Sequence, residues 1–141
     1  MSEDGLIIGE SPVQRAMGFV VDISAPDRRA RCYLDLDQHH MNRNGILHGG
    51  IISTILDVAA GFTASMTVDD TGKAPFQTVS LNVQFLAPAK DGRITATGNH
   101  RGGGQSTVFI DAELKDEEGK LLAIAQGVFK RLRRESETGA S

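Results

Sequence analysis

The chain has 141 residues, a length typical of one domain, of which 40% are hydrophobic and 23% charged. The net charge is −3, and the basic residues are dispersed except for a cluster at residues 130–134, so neither nucleic acid nor a membrane is an expected partner. A single cysteine excludes an intrachain disulfide, and no apolar run approaches the ~20 residues that span a bilayer. We expect a single domain over residues 1–141, ordered at about 11–132. Because the acidic start lacks the features of a secretory signal, a cytoplasmic location is the default expectation.

A short helix and two strands are predicted within the first 36 residues. Ser11 and Pro12 are residue types favoured at an N-cap and at the first helical position, and Gly18 would end this helix. Residues 19–23 and 29–36 are predicted to form two strands, and the second alternates so that its apolar residues at 30, 32, 34 and 36 share one face. The ten residues before the helix are expected to be loosely ordered.

One long helix is predicted at about residues 49–66, after a polar loop at residues 37–48. Four strands are predicted after this helix, at residues 77–87, 93–100, 105–114 and 121–132. The first of these four strands has an apolar face with Val79, Leu81, Val83 and Phe85, and a polar face with Thr78, Ser80, Asn82 and Gln84. Residues 133–141 are expected to fray.

The predicted fold class is α+β. A sheet of consecutive antiparallel strands needs a cover on its apolar face, and the helix at 49–66 is the only element long and apolar enough to provide it. We therefore expect a curved antiparallel sheet of about five or six strands, wrapped around one long central helix, with a short N-terminal helix. Because the long helix is apolar nearly all round, one small sheet cannot bury it completely, and we expect it to pack partly against a second subunit.

His48, Gly49, Gly50 and Asp57 are the most informative residues of the chain. The two glycines begin a nearly all-apolar helix, where exposed backbone N–H groups favour developing negative charge. A carboxylate one to two turns further along, among Ile, Leu and Val, is costly unless it is paired, solvated or used. Together these features predict a site that polarises a carbonyl and activates a water molecule.

Structural roles remain open for the same residues. Asp57 could bond a hydroxyl or an arginine without taking part in chemistry, and His48 could simply cap the helix. Asn42 could be a turn residue, since it lies in a loop. His39 and His40 are expected to be exposed to solvent, and no metal site is expected because no further ligands cluster with them. At helical spacing, Asp57 shares a stripe of small and polar residues with Gly50, Ser53, Thr54, Gly61 and Ala64.

The segment from Asn42 to Gly50, with Asp57 nine residues after His48, resembles the hotdog-fold acyl-CoA thioesterases. The resemblance is closest to the PaaI-like branch, typified by the phenylacetic-acid-pathway thioesterase. Residues 79–83 and 85–90 look like the strand that follows the helix in that family and the turn that closes it, and the resemblance spans about residues 15–132. It implies dimers that join two sheets edge to edge, often assembled as tetramers, with the active site between subunits.

The resemblance also implies roles for individual residues. Asp57 matches the carboxylate that activates water, and Gly49 matches the backbone donor to the thioester oxygen. Asn42 and His48 match residues that line and orient the site. Ser80 matches a residue that helps to place the water or the acid, although the strand alternation does not aim it at the helix.

Four further residues are candidates for substrate contact: Gly50 and Thr54 on the helix stripe, and Lys90 and Arg101 near turns, where the coenzyme A phosphates could meet them. The expected function is hydrolysis of an acyl- or aryl-acyl-CoA thioester to a free acid and coenzyme A, with no cofactor beyond the coenzyme A of the substrate. Asp57 would act as general base or as a nucleophile that forms an anhydride. A hotdog hydratase or dehydratase using His48 with Asp57, and a non-catalytic acyl-CoA binding protein, are the alternatives.

Overall fold

Seven antiparallel strands form one sheet in the computed structural model, which describes residues 4–133. The strands are β1 (Leu6–Ile7), β2 (Val20–Asp22), β3 (Arg31–Asp35), β4 (Phe76–Phe85), β5 (Arg93–Gly103), β6 (Thr107–Lys115) and β7 (Leu121–Arg131). Their order across the sheet is β1-β2-β3-β5-β6-β7-β4, so that β1 and β4 are the edge strands. Two α-helices accompany the sheet, α1 (Pro12–Met17) and α2 (Gly49–Ser65), with a single 3-10 turn at Gln38–His40.

The long helix α2 lies across one face of the sheet and contacts β3, β4, β5, β6 and β7. Its inner side is fully buried, with Ile55, Leu56, Ala59 and Ala60 each at 0% exposure. The predicted α+β class, with one long helix against an antiparallel sheet, is therefore confirmed. Among residues 4–133, no helix is both long and apolar enough to cross a membrane.

The sheet has one strand more than predicted because residues before α1 contribute β1. Leu6 pairs with Asp22, and Ile7 pairs with Val21 and is buried in the core. The expectation of loose order is therefore wrong for these two residues, since burial of Ile7 favours a fixed backbone. Residues 1–3, and all but the first of the residues predicted to fray at 133–141, lie outside the described part of the chain.

The predicted ends of α1 are confirmed. Ser11 is the N-cap, and its hydroxyl accepts a hydrogen bond from the Gln14 N–H at 3.2 Å. Gly18 ends the helix with a φ of 88°, a left-handed conformation that glycine adopts without strain. The capping residues therefore define both ends of α1.

The only cysteine, Cys32, lies on the inner face of β3 and is fully buried beside Ala30 and Leu34. Burial raises the pKa of its thiol, because the thiolate would lose its hydration. Cys32 therefore behaves as a small apolar core residue.

A β-bulge in β4 changes the predicted faces of that strand. Thr78 pairs with Phe129 and Ser80 pairs with Val128, so Val79 is an extra residue without a direct partner on β7. The bulge places Thr78 on the inner face with Leu81 and leaves Val79 61% exposed. The predicted inner position of Val79 and outer position of Thr78 are both wrong, because strict alternation fails wherever a strand contains an extra residue.

We expect Gly98→Ala to destabilise the protein, because Gly98 allows β5 to approach α2 closely. A Cβ there would lie 2.8 Å from the Thr63 Cβ and 2.9 Å from the Ala59 carbonyl oxygen. Overpacking of this kind costs about 1–3 kcal/mol, which urea unfolding would measure. Gly102→Ala is the matched control, since no atom lies within 4 Å of its added Cβ. Equal stability of the two variants would contradict the close approach.

Candidate active site

The start of α2 offers an unpaired backbone donor. His48 is the N-cap, and its Nδ1 accepts a hydrogen bond from the Gly50 N–H at 2.8 Å. The Gly49 N–H has no acceptor among residues 4–133. Of the two glycines, Gly49 therefore keeps a free N–H at the positive end of the helix, whereas the Gly50 N–H is already used by the cap.

The two glycines differ in how closely their neighbours approach, with a tight contact at Gly50 and an ordinary one at Gly49. A Cβ at Gly50 would lie 3.0 Å from the His48 ring, and a Cβ at Gly49 would lie 3.4 Å from the ring of Phe85. Because Nδ1 of His48 accepts a hydrogen bond, the neutral ring carries its proton on Nε2. The Nε2–H is then available as a second donor beside Gly49.

Asn42 organises the loop that leads to His48. Its Oδ1 accepts hydrogen bonds from the Asn44 N–H at 2.8 Å and the Ile46 N–H at 3.4 Å, and its own N–H donates to the Ile46 carbonyl at 2.8 Å. Leu47 pairs with Met41 in an isolated β-bridge. Asn42 is therefore a turn residue, as the structural alternative holds, and its carboxamide N–H groups have no acceptor among the described residues.

Asp57 is half-buried on α2 and is hydrogen-bonded to β4. The Thr78 hydroxyl donates to Asp57 Oδ1 at 2.7 Å. Burial raises the pKa of the Asp57 carboxyl, because the charged form loses hydration, and the Thr78 bond partly opposes this rise. A carboxylate with a raised pKa is the state expected of a general base or a nucleophile.

A cavity of about 270 Å³ begins beside Asp57 and runs along α2 toward the loop before β4. Its wall includes Gly61, Phe62, Phe76, Phe129 and, at the far end of the helix, Ser65. The Ser65 hydroxyl is buried and has no hydrogen-bond partner among the described residues. The cavity presents polar as well as apolar surface, because Asp57, Lys73 and Ser65 line it together with the aromatic rings.

Thr78 and Ser65 were not among the predicted site residues. The bulge at Val79 gives no signal in a strand whose residues alternate cleanly. Ser80 was predicted to help place the water or the acid, but its register with Val128 places it on the outer face of the sheet, and Thr78 bonds Asp57 instead. The Thr54 hydroxyl donates to the Gly50 carbonyl at 2.9 Å and is thus engaged within its own helix.

The two predicted cations lie in different places. Lys90 shares the wall of a polar cavity of about 470 Å³ with Asn42 and Arg43. Arg101 lies 3.4 Å from Asp111, which pairs with Asn99 and Gln126 on the outer face of the sheet. Lys90 therefore belongs with the Asn42 loop, whereas Arg101 is separated from Asp57 by the sheet.

The two histidines of the 3-10 turn differ from each other. His39 is exposed as expected, but His40 is only 2% exposed, so its predicted exposure is wrong. Its ring is buried because it bonds two backbone groups, Met17 O and Asp37 N. Within residues 4–133, no group of three or more His, Cys, Asp or Glu side chains could hold a metal ion.

Within one chain, the free Gly49 N–H and Asp57 cannot act on the same carbonyl group. Asp57 follows Gly49 by eight positions along α2, which is about 12 Å at the rise of an α-helix. A carbonyl oxygen bound to an N–H lies about 3 Å from it, and its carbon must be equally close to the attacking group. The same distance prevents His48 and Asp57 of one chain from forming an acid–base pair.

Comparison with known proteins places this chain in a family. The family model described as the thioesterase superfamily matches residues 44–123. The chain is similar to human acyl-coenzyme A thioesterase 13, with 30% identity over 112 residues that cover 78% of each chain. It is also similar to the medium/long-chain acyl-CoA thioesterase YigI of Escherichia coli, with 32% identity over 95 residues that cover 60% of this chain and 61% of YigI.

Solved structures share the fold. The PaaI protein from the phenylacetic acid degradation operon of Escherichia coli superposes with a TM-score of 0.76 at 22% identity, over 88% of this chain and 86% of PaaI. AziG of S. sahachiroi superposes with the same TM-score at 27% identity, over 88% of this chain and 98% of AziG. Since the family model covers more than half of the chain, the protein belongs to the thioesterase superfamily as a thioester hydrolase, and its resemblance to the PaaI-like hotdog-fold enzymes is confirmed.

Proposed function

We propose that the protein hydrolyses acyl-CoA thioesters to a free acid and coenzyme A, and that the dimer is its minimal active unit. The observation that carries the proposal is the free Gly49 N–H at the start of α2, together with the half-buried Asp57 further along the same helix. One group suits the carbonyl oxygen, and the other suits the activation of water. The similarity to human acyl-coenzyme A thioesterase 13 supports coenzyme A as the thiol.

The edge strand β4 supports a dimer. It is ten residues long, and within residues 4–133 no strand pairs with the edge of β4 that faces away from β7. Val79, Phe85 and the following Leu86 expose apolar side chains along this edge, at 61%, 55% and 54%. A long apolar edge invites pairing with another strand, and a two-fold dimer would pair β4 with its own copy.

This pairing brings together the two halves of the site. Along β4, Thr78 lies next to Asp57, whereas Phe85 lies next to Gly49. In an antiparallel pair about a two-fold axis near the middle of β4, the Phe85 end of one strand faces the Thr78 end of the other. Gly49 of one subunit would then approach Asp57 of the other, which removes the 12 Å separation.

In the proposed reaction, the Gly49 N–H polarises the thioester carbonyl, with the positive end of α2 behind it. Loss of one such donor typically raises a barrier by about 3 kcal/mol. Asp57 takes a proton from water as the water attacks the carbonyl carbon, and the resulting acid returns the proton to the departing thiolate. In the alternative route, Asp57 attacks the carbon itself and water hydrolyses the anhydride. Neither route uses a cofactor beyond the coenzyme A of the substrate.

The cavities suggest where the two parts of the substrate bind. In the cavity beside Asp57, the rings of Phe62, Phe76 and Phe129 are suited to contact the acyl group. Lys90 and Arg43, beside Asn42, are suited to the phosphates of coenzyme A, whereas Arg101 on the outer face is not. Asn42 and His48 would orient the thioester from the side of Gly49.

We expect Asp57→Asn to lower turnover by at least about a hundredfold, because the variant cannot accept the proton of water. Release of free thiol from phenylacetyl-, octanoyl- and palmitoyl-CoA would measure turnover and show which acyl group is preferred. Burial of Asp57 raises its pKa in the folded protein, so above that pKa its charge opposes folding. The variant should therefore unfold at an equal or higher temperature at pH 7. Near-normal turnover would exclude Asp57 as the general base and as the nucleophile.

We expect Thr78→Val to shift the acid limb of the pH–rate profile to higher pH. The Thr78 hydroxyl bonds the carboxylate form of Asp57, so its removal raises the Asp57 pKa further. Since the base must be ionised, kcat/KM then falls at a higher pH than in the wild type. Thr97→Val, on the outer face of β5, is the matched control. A shift caused by Ser80→Ala but not by Thr78→Val would reverse the assignment.

We expect mixed dimers of Asp57→Asn with His48→Ala to regain activity, although neither variant alone is active. In a site shared by two subunits, one of the two sites of the mixed dimer contains only intact residues, giving about half of the wild-type turnover. Two affinity tags on co-expressed chains would isolate this species. No gain over the separate variants would show that each site belongs to one chain.

A further inference from the structure

His40 forms two hydrogen bonds that join separate parts of the fold. Its Nδ1 accepts from the Asp37 N–H at 3.0 Å, and its Nε2 lies 2.8 Å from the carbonyl oxygen of Met17 at the end of α1. Since Nδ1 is an acceptor, the proton is on Nε2, which donates to Met17. One rigid ring thus satisfies one donor and one acceptor of the backbone in a site that is almost fully buried.

The backbone of His40 holds the residue that caps α2. The His48 N–H donates to the His40 carbonyl at 3.0 Å, and His48 in turn accepts from Gly50. Residues 40–48 form a small hairpin, closed by this bond and by the Met41–Leu47 bridge. The hairpin therefore carries Asn42 and His48 and leads directly into Gly49.

Few bonds fix this hairpin to the rest of the protein. The Leu47 N–H donates to the Ala89 carbonyl at 2.8 Å, which ties one strand of the hairpin to the turn after β4. The His40 ring ties the other strand to α1 and to the loop after β3. Without the ring, the Met17 carbonyl and the Asp37 N–H, which are partly buried, lose their shared partner, and the base of the hairpin shifts as they find new ones.

We propose that His40 is a positioning residue for the reaction: it sets the place of the hairpin 40–48, and through His48 the place of the Gly49 N–H. The inference rests on the proposed function, since it concerns the half of the shared site that polarises the carbonyl. A displacement of about 1 Å in such a group can cost a hundredfold in rate. His40 itself touches no substrate and no reacting atom.

We expect His40→Leu to lower kcat at least about tenfold while KM changes less than about threefold, because the misplaced donor weakens transition-state stabilisation more than substrate binding. The substrate is the best acyl-CoA of the panel above. Thr63→Val is the matched control, since Thr63 is fully buried and bonds the Ala30 N–H and the Ala59 carbonyl, on the side of α2 that faces the sheet. It should lower the unfolding temperature as His40→Leu does, with kcat within about twofold of wild type.

His40→Asn and His40→Gln give a second comparison, which also serves if His40→Leu does not fold. The Asn oxygen can replace Nδ1 toward Asp37, and the Gln nitrogen can replace Nε2 toward Met17. Each variant keeps one of the two bonds, and we expect each to have a kcat above that of the Leu variant and below that of the wild type. A kcat equal to that of Thr63→Val for all His40 variants would overturn the proposal.

Mixed dimers locate the effect within the site. When a His40→Leu or His40→Gln chain is paired with Asp57→Asn, one site combines an intact Gly49 half with an intact Asp57 half, and we expect turnover to recover to about half of wild type. The pair His48→Ala with Asp57→Asn is the control. If the control pair recovers and the His40 pair does not, His40 acts elsewhere and this proposal fails, whereas the proposed function stands. If the wild-type protein releases no thiol from any acyl-CoA, the proposed function itself fails.

Discussion

The rise of an α-helix is the constraint on which the site depends. Each residue of an α-helix adds about 1.5 Å along the helix axis. Gly49 and Asp57 both lie on α2 and are therefore about 12 Å apart. An acid within the first turn of α2 would compete for the same N–H groups. The spacing instead keeps the donor and the acid independent within one chain. Chemistry that needs both groups then requires a second helix, which makes assembly a condition of activity in the proposed mechanism.

The edge strand β4 connects this constraint with the rest of the fold. Its bulge turns Thr78 toward Asp57, and its last residue, Phe85, lies against Gly49. Its free edge carries exposed apolar residues. One extra residue at Val79 therefore decides both which hydroxyl reaches the acid and which side chains remain at the edge. The same strand therefore contacts both halves of the site and forms the free edge of the sheet.

The sequence was sufficient to predict the elements whose signals are local. The caps of α1 at Ser11 and Gly18, the length of α2 and the inner face of β3 follow from residue type and periodicity. The features that were missed depend on contacts between distant residues. Ile7 is ordered because it joins the core, Thr78 reaches Asp57 because β7 sets the register of β4, and His40 is buried because α1 ends beside it. The resemblance assigned the donor role to Gly49, and the physical reason, that the Gly50 N–H is bonded to the His48 ring, required the structure.

The burial of Cys32 has a consequence for an enzyme of this class. Hydrolysis of a thioester releases a thiol at every turnover, and oxidised forms of such a product exchange readily with accessible thiolates. Cys32 is fully buried on β3, and its thiol resists ionisation. The protein therefore presents no reactive sulfur of its own to the compound that it liberates, and mixed disulfides with its product cannot accumulate while the fold is intact.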